Sequence, residues 1–201
     1  MSTNDINQNL TNLASPKIGT KIIEVSDDFF GEVSRMLDDK EPVFIEDKYD
    51  EHGKWMDGWE SKRRRDGGND WAIIELGSPG IISEVDIDTS FFTGNFPPFA
   101  SIEGLYSDQK PNKDSDWIEI ISKTSLKGDS SNKFKITLKS KVNYIKLQIF
   151  PDGGVARLRL FGEVKLDWDI YNNKKDLIEL SSLKLGGSII AYNNAHYGDV
   201  S

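Results

Sequence analysis

Three short segments of the chain gather side chains that could act on a small polar molecule. Residues 53–65 read GKWMDGWESKRRR. Asp57 and Glu60 supply two carboxyl groups for proton transfer, and Arg63 supplies a planar guanidinium fork that matches a carboxylate. Asp57-Gly58 is a turn signal, and Trp55 and Trp59 on either side can anchor the loop by burial. A plainer reading of the same residues is a loop pinned by two tryptophans with a solvated basic end. Residues 88–98, DTSFFTGNFPP, run from a strand end into a turn stiffened by two prolines. Asp88 and Asn95 there offer acceptors and donors to an amide-type group, or serve ordinary turn chemistry. Residues 151–159, PDGGVARLR, contain a hairpin signal at Asp152-Gly153, followed by Arg157 and Arg159. Arg157 either reaches a bound anion or pairs with the acids of residues 84–88.

The elements that must position these groups read as β-strands. Residues 21–25, 71–76, 81–92, 101–106, 117–121, 134–138, 144–150 and 155–164 are short apolar or alternating runs divided by Gly, Pro and Asp. Val85, Ile87, Thr89 and Phe91 share one face of their run, and Ile145, Leu147 and Ile149 share another. Leu158 and Leu160 point inward, which leaves Arg157 and Arg159 together on the outer face. The expected core includes Ile74, Val85, Ile87, Leu147, Ile149, Leu158 and Leu160. Gly77 and Pro79 are expected to end the run 71–76. Helix is confined to a turn near residues 32–39 and another near 174–180. The fold class expected is all-β, an antiparallel jelly-roll β-sandwich. Residues 38–69 form a long charged connection, which their tryptophans mark as ordered.

Composition narrows the function. The chain of 201 residues has no cysteine and a formal net charge of -8. Thiolate nucleophiles and disulfides are therefore excluded, and binding to nucleic acid by bulk charge is disfavoured. No run approaches the apolar length of a membrane span, and the polar start does not resemble a signal peptide, so a cytoplasmic protein is expected. His52 and His196 stand alone, with no zinc-type spacing, and no phosphate-loop or dinucleotide fingerprint occurs. No cofactor or metal is expected, although carboxylates binding a divalent ion stay open.

The sequence also repeats itself. With Asn9 laid over Asp176, an offset of 167, residues 9–34 and 176–201 align without a gap. Ten of the 26 pairs are identical, among them Leu13/Leu180, Ser15/Ser182, Lys17/Lys184 and Gly19/Gly186. Average composition gives about one or two by chance. A tandem duplication follows, with an N-terminal extension at 1–17, a sandwich module at 18–166, a linker at 167–185 and the truncated start of a second module at 186–201.

In order and spacing, these segments resemble the allantoicase family. Its pattern comprises a DGWE-x-x-R segment, a DW-[apolar]-I-x-L-G strand, D-T-[AS]-x-F-x-G-N, S-I-E, and P-D-G-G-[IV]-A-R-x-R-x-[FY]-G. Here these fall at residues 57–63, 70–77, 88–95, 101–103 and 151–162. The resemblance implies a galactose-binding-like jelly roll, the first of two tandem modules. It also implies hydrolysis of allantoate to ureidoglycolate and urea in purine catabolism, by a homo-oligomer whose partner is that small molecule. Asp57 and Glu60 become the candidate acid/base pair and Arg63 the holder of the substrate carboxylate. Asp88 and Asn95 would orient a ureido group, and Arg157 would be a second anion contact or a brace. A different class stays open, a non-catalytic carbohydrate-binding module, in which Trp55 and Trp59 would stand exposed at loop tips. An inactive remnant is the third.

Overall fold

The computed structural model describes residues 10–169 and 177–188. Its strands are β1 (Thr11–Asn12), β2 (Lys21–Val25), β3 (Tyr49–Asp50), β4 (Gly53–Lys54), β5 (Trp59–Glu60), β6 (Asp70–Asp88), β7 (Phe99–Leu105), β8 (Ile118–Ser125), β9 (Ser131–Lys135), β10 (Val142–Phe150), β11 (Gly154–Val155) and β12 (Arg157–Val164). All pairings are antiparallel. The expected turn near residues 32–39 is a 3-10 turn, Val33–Leu37. The one near 174–180 falls partly outside the described residues, and 177–180 are not helical.

One strand builds both layers of the sandwich. The first part of β6, residues 70–75, pairs with β10 on one side and β2 on the other. Its last part, residues 80–88, pairs with β12 and β9. β7 and β8 extend the first layer beyond β10, and β1 extends the second beyond β12. The expected break at Gly77 and Pro79 is therefore a point where β6 runs on while exchanging its partners. The reason lies in the packing there. A Cβ on Gly77 would lie 2.0 Å from the Ile18 carbonyl oxygen, so only glycine lets the neighbouring turn press against the strand. The Pro79 carbonyl meanwhile accepts from Lys165 N–H.

Between the layers lies the main apolar core. Ile74, Val85, Ile87, Leu147, Ile149 and Leu160 are fully buried, and Leu158 is nearly so. β9 begins three residues before the run expected at 134–138, because residues 131–135 find β6 as partner.

The turn that opens the chain recurs near its end. The 3-10 turn Pro16–Ile18 is entered through Ser15 (φ -66°, ψ 130°) and left through Gly19 (φ 98°, ψ 12°). The 3-10 turn Leu183–Leu185 is entered through Ser182 (φ -63°, ψ 132°) and left through Gly186 (φ 86°, ψ 11°). The second turn rests on the first layer's bend, where Ser78 Oγ donates to the Lys184 carbonyl at 2.6 Å. Burial differs between the copies. Leu13 is 0% exposed, whereas its counterpart Leu180 is 70% exposed. The start of a second module expected at 186–201 lies outside the described residues beyond Ser188.

Candidate active site

Register alone brings three loops to one edge of the first layer. Phe150 at the end of β10 is paired with Phe99 at the start of β7, and Ile149 with Asp70 at the start of β6. The connections entering β7 and β6 and leaving β10 must then lie side by side. These are residues 94–98, 61–69 and 151–153, each of which overlaps one of the three segments singled out by their chemistry.

They enclose a cleft of about 400 Å³ lined by Phe30, Glu60, Ser61, Arg63, Gly94, Asn95, Phe96, Pro98, Pro151, Asp152 and Gly153. That is within the size range of small-molecule sites. Glu60 ends the two-residue strand β5, whose backbone is held from both sides. Glu60 N–H and carbonyl pair with Gly31, and Gly154 is its register partner in β11. Its side chain is half-buried and accepts from Asn95 Nδ2 at 2.7 Å. Burial raises the Glu60 pKa above the ordinary glutamate value, and the Asn95 hydrogen bond offsets only part of this.

Asn95 is fixed in turn by the 151–154 hairpin. Its carbonyl accepts from Gly154 N–H at 2.8 Å. Gly153 sits at φ +135°, and a Cβ there would lie 2.7 Å from the Asn95 oxygen. A Cβ on Gly154 would run into the Phe92 ring at 2.0 Å. The two consecutive glycines let the hairpin touch the Asn95 loop directly.

Arg63 borders this cleft and a second, basic one of about 520 Å³ lined by Ser26, Asp27, residues 62–66 and Asp70. Its side chain is 73% exposed, and the only ion pair found for it among the described residues is a long one to Asp152, 3.9 Å from Nε. Arg64 points the other way, to Asp66 at 2.8 Å and to buried Asp70 at 2.6 Å. Successive side chains of an extended segment face opposite sides, which separates an exposed Arg63 from an anchored Arg64.

The remaining candidates are placed elsewhere. Arg157 is 1% exposed, with every nitrogen engaged. Nε donates to the Lys40 carbonyl, Nη1 to the carbonyls of Asp57, Ala156 and Arg35, and Nη2 to Asp57 Oδ2 at 2.7 Å. It is buried and does not line the cleft. Asp57 is its partner, with Oδ2 also accepting Val43 N–H at 2.9 Å. It does not line the cleft. Asp88 is 4% exposed, caps the turn after β6 by accepting Ser90 N–H, and faces Arg159 at 3.9 Å. The outer face that the two arginines share is covered by the 38–57 connection rather than open to solvent. Arg159 reaches Glu41 there at 3.0 Å.

Asp152 was not among the candidates, because Asp-Gly already accounts for a hairpin turn. Its carboxylate nevertheless lines the cleft and touches both Arg63 and the Arg64 backbone. The signal for it in the sequence is that it stands in PDGGVARLR, the last of the three segments. Among the described residues no group of three His, Cys, Asp or Glu could hold a metal ion, and no helix is long and apolar enough to cross a membrane. The tryptophans are not exposed platforms. Trp59 is fully buried with Nε1 donating to the Asp27 carbonyl, and the Trp55 ring lies under Lys48 at 3.4 Å.

The jelly-roll sandwich is a fold this chain shares with other modules. The C-terminal domain of a Bacteroides fragilis chitobiase has the same fold, with a TM-score of 0.56 at 16% identity over 78% of this chain and 100% of that one. Similarity to allantoicases is much stronger. The family described as "Allantoicase repeat" matches residues 11–165, and the chain belongs to the allantoicase family. A "Probable allantoicase 1" of Burkholderia mallei is 46% identical over 188 residues, covering 93% of this chain and 56% of that protein. The allantoicase of Saccharomyces cerevisiae superposes with a TM-score of 0.80 at 30% identity, over 97% of this chain and 59% of that one. The chain thus spans about half the length of the curated relatives it matches.

Proposed function

We propose that the cleft at Glu60, Arg63 and Asn95 is an allantoate site and that the protein hydrolyses allantoate to ureidoglycolate and urea. The observation that carries this reading is the convergence of a partly buried carboxylate, an exposed guanidinium and an amide on one cleft of small-molecule size, in a chain of this family. Allantoate carries one carboxylate and two ureido groups on a single carbon. Arg63 takes the carboxylate as a two-pronged donor. Asn95 orients a ureido group. One Nδ2 hydrogen goes to Glu60, which leaves the other and the amide oxygen for the ureido group. In the reaction, the carbon–nitrogen bond to one ureido group breaks and a carbon–oxygen bond to water forms. One proton leaves the water and one reaches the departing nitrogen. Glu60 serves this exchange, helped by a pKa that burial moves towards neutrality. Asp57 and Arg157 act from behind, by holding the start of the 57–60 turn in place.

Burial of Trp59 and the lysine-covered face of Trp55 argue against the carbohydrate-binding alternative. The reading extends to a cytoplasmic homo-oligomer, since a chain without cysteines needs no oxidising compartment. Residues 186–201 begin a second copy of the sandwich after a linker at 167–185, in line with the matching turns and the exposed Leu180. Full turnover depends on that second copy. Urea release by the 201-residue chain should therefore be well below that of the same chain extended through a complete second repeat. Equal rates per chain would show that one repeat suffices.

A further inference from the structure

We propose that Asp152 is the positioning residue of this cleft, aiming Arg63 at the ligand and tying it to the loop that carries Asn95. The inference rests on the reading of the cleft given above. Residues 61–65 form no strand, so specific contacts must hold them in place. On the cleft side these contacts come from the 151–154 hairpin. Ser61 and Gly153 exchange two hydrogen bonds at 3.3 Å, and Asp152 Oδ2 accepts Arg64 N–H at 2.7 Å. From the opposite side Lys62 N–H donates to Asp27 at 2.7 Å, and the Arg64 side chain is locked into Asp70. With residues 62 and 64 held, Arg63 is left pointing outward.

The other Asp152 oxygen then faces it. Oδ1 lies 3.9 Å from Arg63 Nε, while Asp152 itself is only 13% exposed at its side chain. The contact is to Nε, so among the described residues both terminal nitrogens of the guanidinium are left for a ligand carboxylate. A fixed acid beside an exposed arginine restricts the directions the fork can take, which lowers the entropy lost when a ligand binds. The same hairpin receives Asn95 through Gly153 and Gly154. One turn thereby sets the separation between the carboxylate-binding and ureido-binding groups.

Asp152→Asn separates this role from mere folding. Asparagine can still accept the Arg64 amide but brings no charge to Arg63. Steady-state hydrolysis should show KM for allantoate raised roughly tenfold, with kcat within about a factor of two or three. Arg63→Ala should raise KM at least as much. In the Arg63→Ala background, Asp152→Asn should then add less than about twofold, since the partner it acts through is gone. Multiplying effects in the double variant, or an unchanged KM in Asp152→Asn, would overturn the proposal.

A second readout needs no turnover. The Arg63 Nε–H resonance in 15N-resolved NMR should shift and lose order in Asp152→Asn, and stay put in Asp66→Asn, whose carboxylate is held by the Arg64 side chain and Gly68 N–H. An Arg63 resonance indifferent to Asp152 would overturn the positioning role. A protein that shows the resonance shift yet leaves allantoate intact would instead count against the substrate assigned to the cleft.

Discussion

Arg157→Ala should destabilise the fold by about 3–5 kcal/mol, the cost typical of removing one partner from a buried ion pair. Arg157 is 1% exposed and fixes three parts of the chain at once through the carbonyls of Arg35, Lys40 and Asp57. Without it, the Asp57 carboxylate keeps Val43 N–H as its one partner among the described residues, in a site where its side chain is 14% exposed. Four carbonyls, that of Ala156 included, lose a donor, and the volume of the side chain becomes a void. Lysine should rescue little, because one ammonium cannot occupy the positions of a guanidinium fork. Guanidinium chloride unfolding, followed by tryptophan fluorescence, measures the loss. A change below about 1 kcal/mol would show that the 38–57 connection is held by other contacts. Turnover should fall as well, since Asp57 lies three residues before Glu60 on the same turn.

Glu60→Gln should behave in the opposite way, with turnover cut by a factor of about 10²–10⁴, the usual contribution of a positioned acid or base, and stability at neutral pH retained or increased. The sign follows from linkage. The folded-state pKa of Glu60 is raised by burial, so the folded protein holds this proton more tightly than the unfolded chain does. The resulting stabilisation is fully present below the unfolded value of about 4.3 and is lost as pH rises through the folded value. At neutral pH the buried charge is a net cost, which glutamine removes while still able to accept from Asn95 Nδ2. Thermal unfolding of the two proteins at pH 7 and near pH 3.5 should show the advantage of glutamine shrinking as pH falls. If Glu60→Gln keeps near-normal turnover, Glu60 is not the proton-transfer group.

The fold and the site were legible to different depths. Alternation along residues 81–92 and 144–150 marks inward faces, and all seven residues expected in the core are buried. Periodicity cannot reveal that one strand serves two layers, because at Gly77 and Pro79 a strand end and a change of partners look alike in sequence. Glu60, Arg63 and Asn95 stand in motifs with unusual turn chemistry, and register brings those turns together. Arg157 and Asp57 stand in equally conspicuous motifs but meet each other across 100 residues of chain, inside the protein. Whether an arginine faces a ligand or an aspartate depends on what covers its strand, here the 38–57 connection with little periodicity to read. Asp152 shows the converse, where a sufficient local explanation as a turn residue hid a long-range contact to Arg64.

The central claim is that allantoate binds where Glu60, Arg63 and Asn95 meet. Its most direct test is a crystal structure of the Glu60→Gln variant, which should turn over too slowly to consume its ligand, grown with allantoate. The ligand carboxylate should lie on the terminal nitrogens of Arg63, with a ureido group against Asn95 and Gln at position 60. Allantoate bound instead in the basic cleft beside Arg65 and Asp66, or absent from both clefts at saturating concentration, would contradict the assignment.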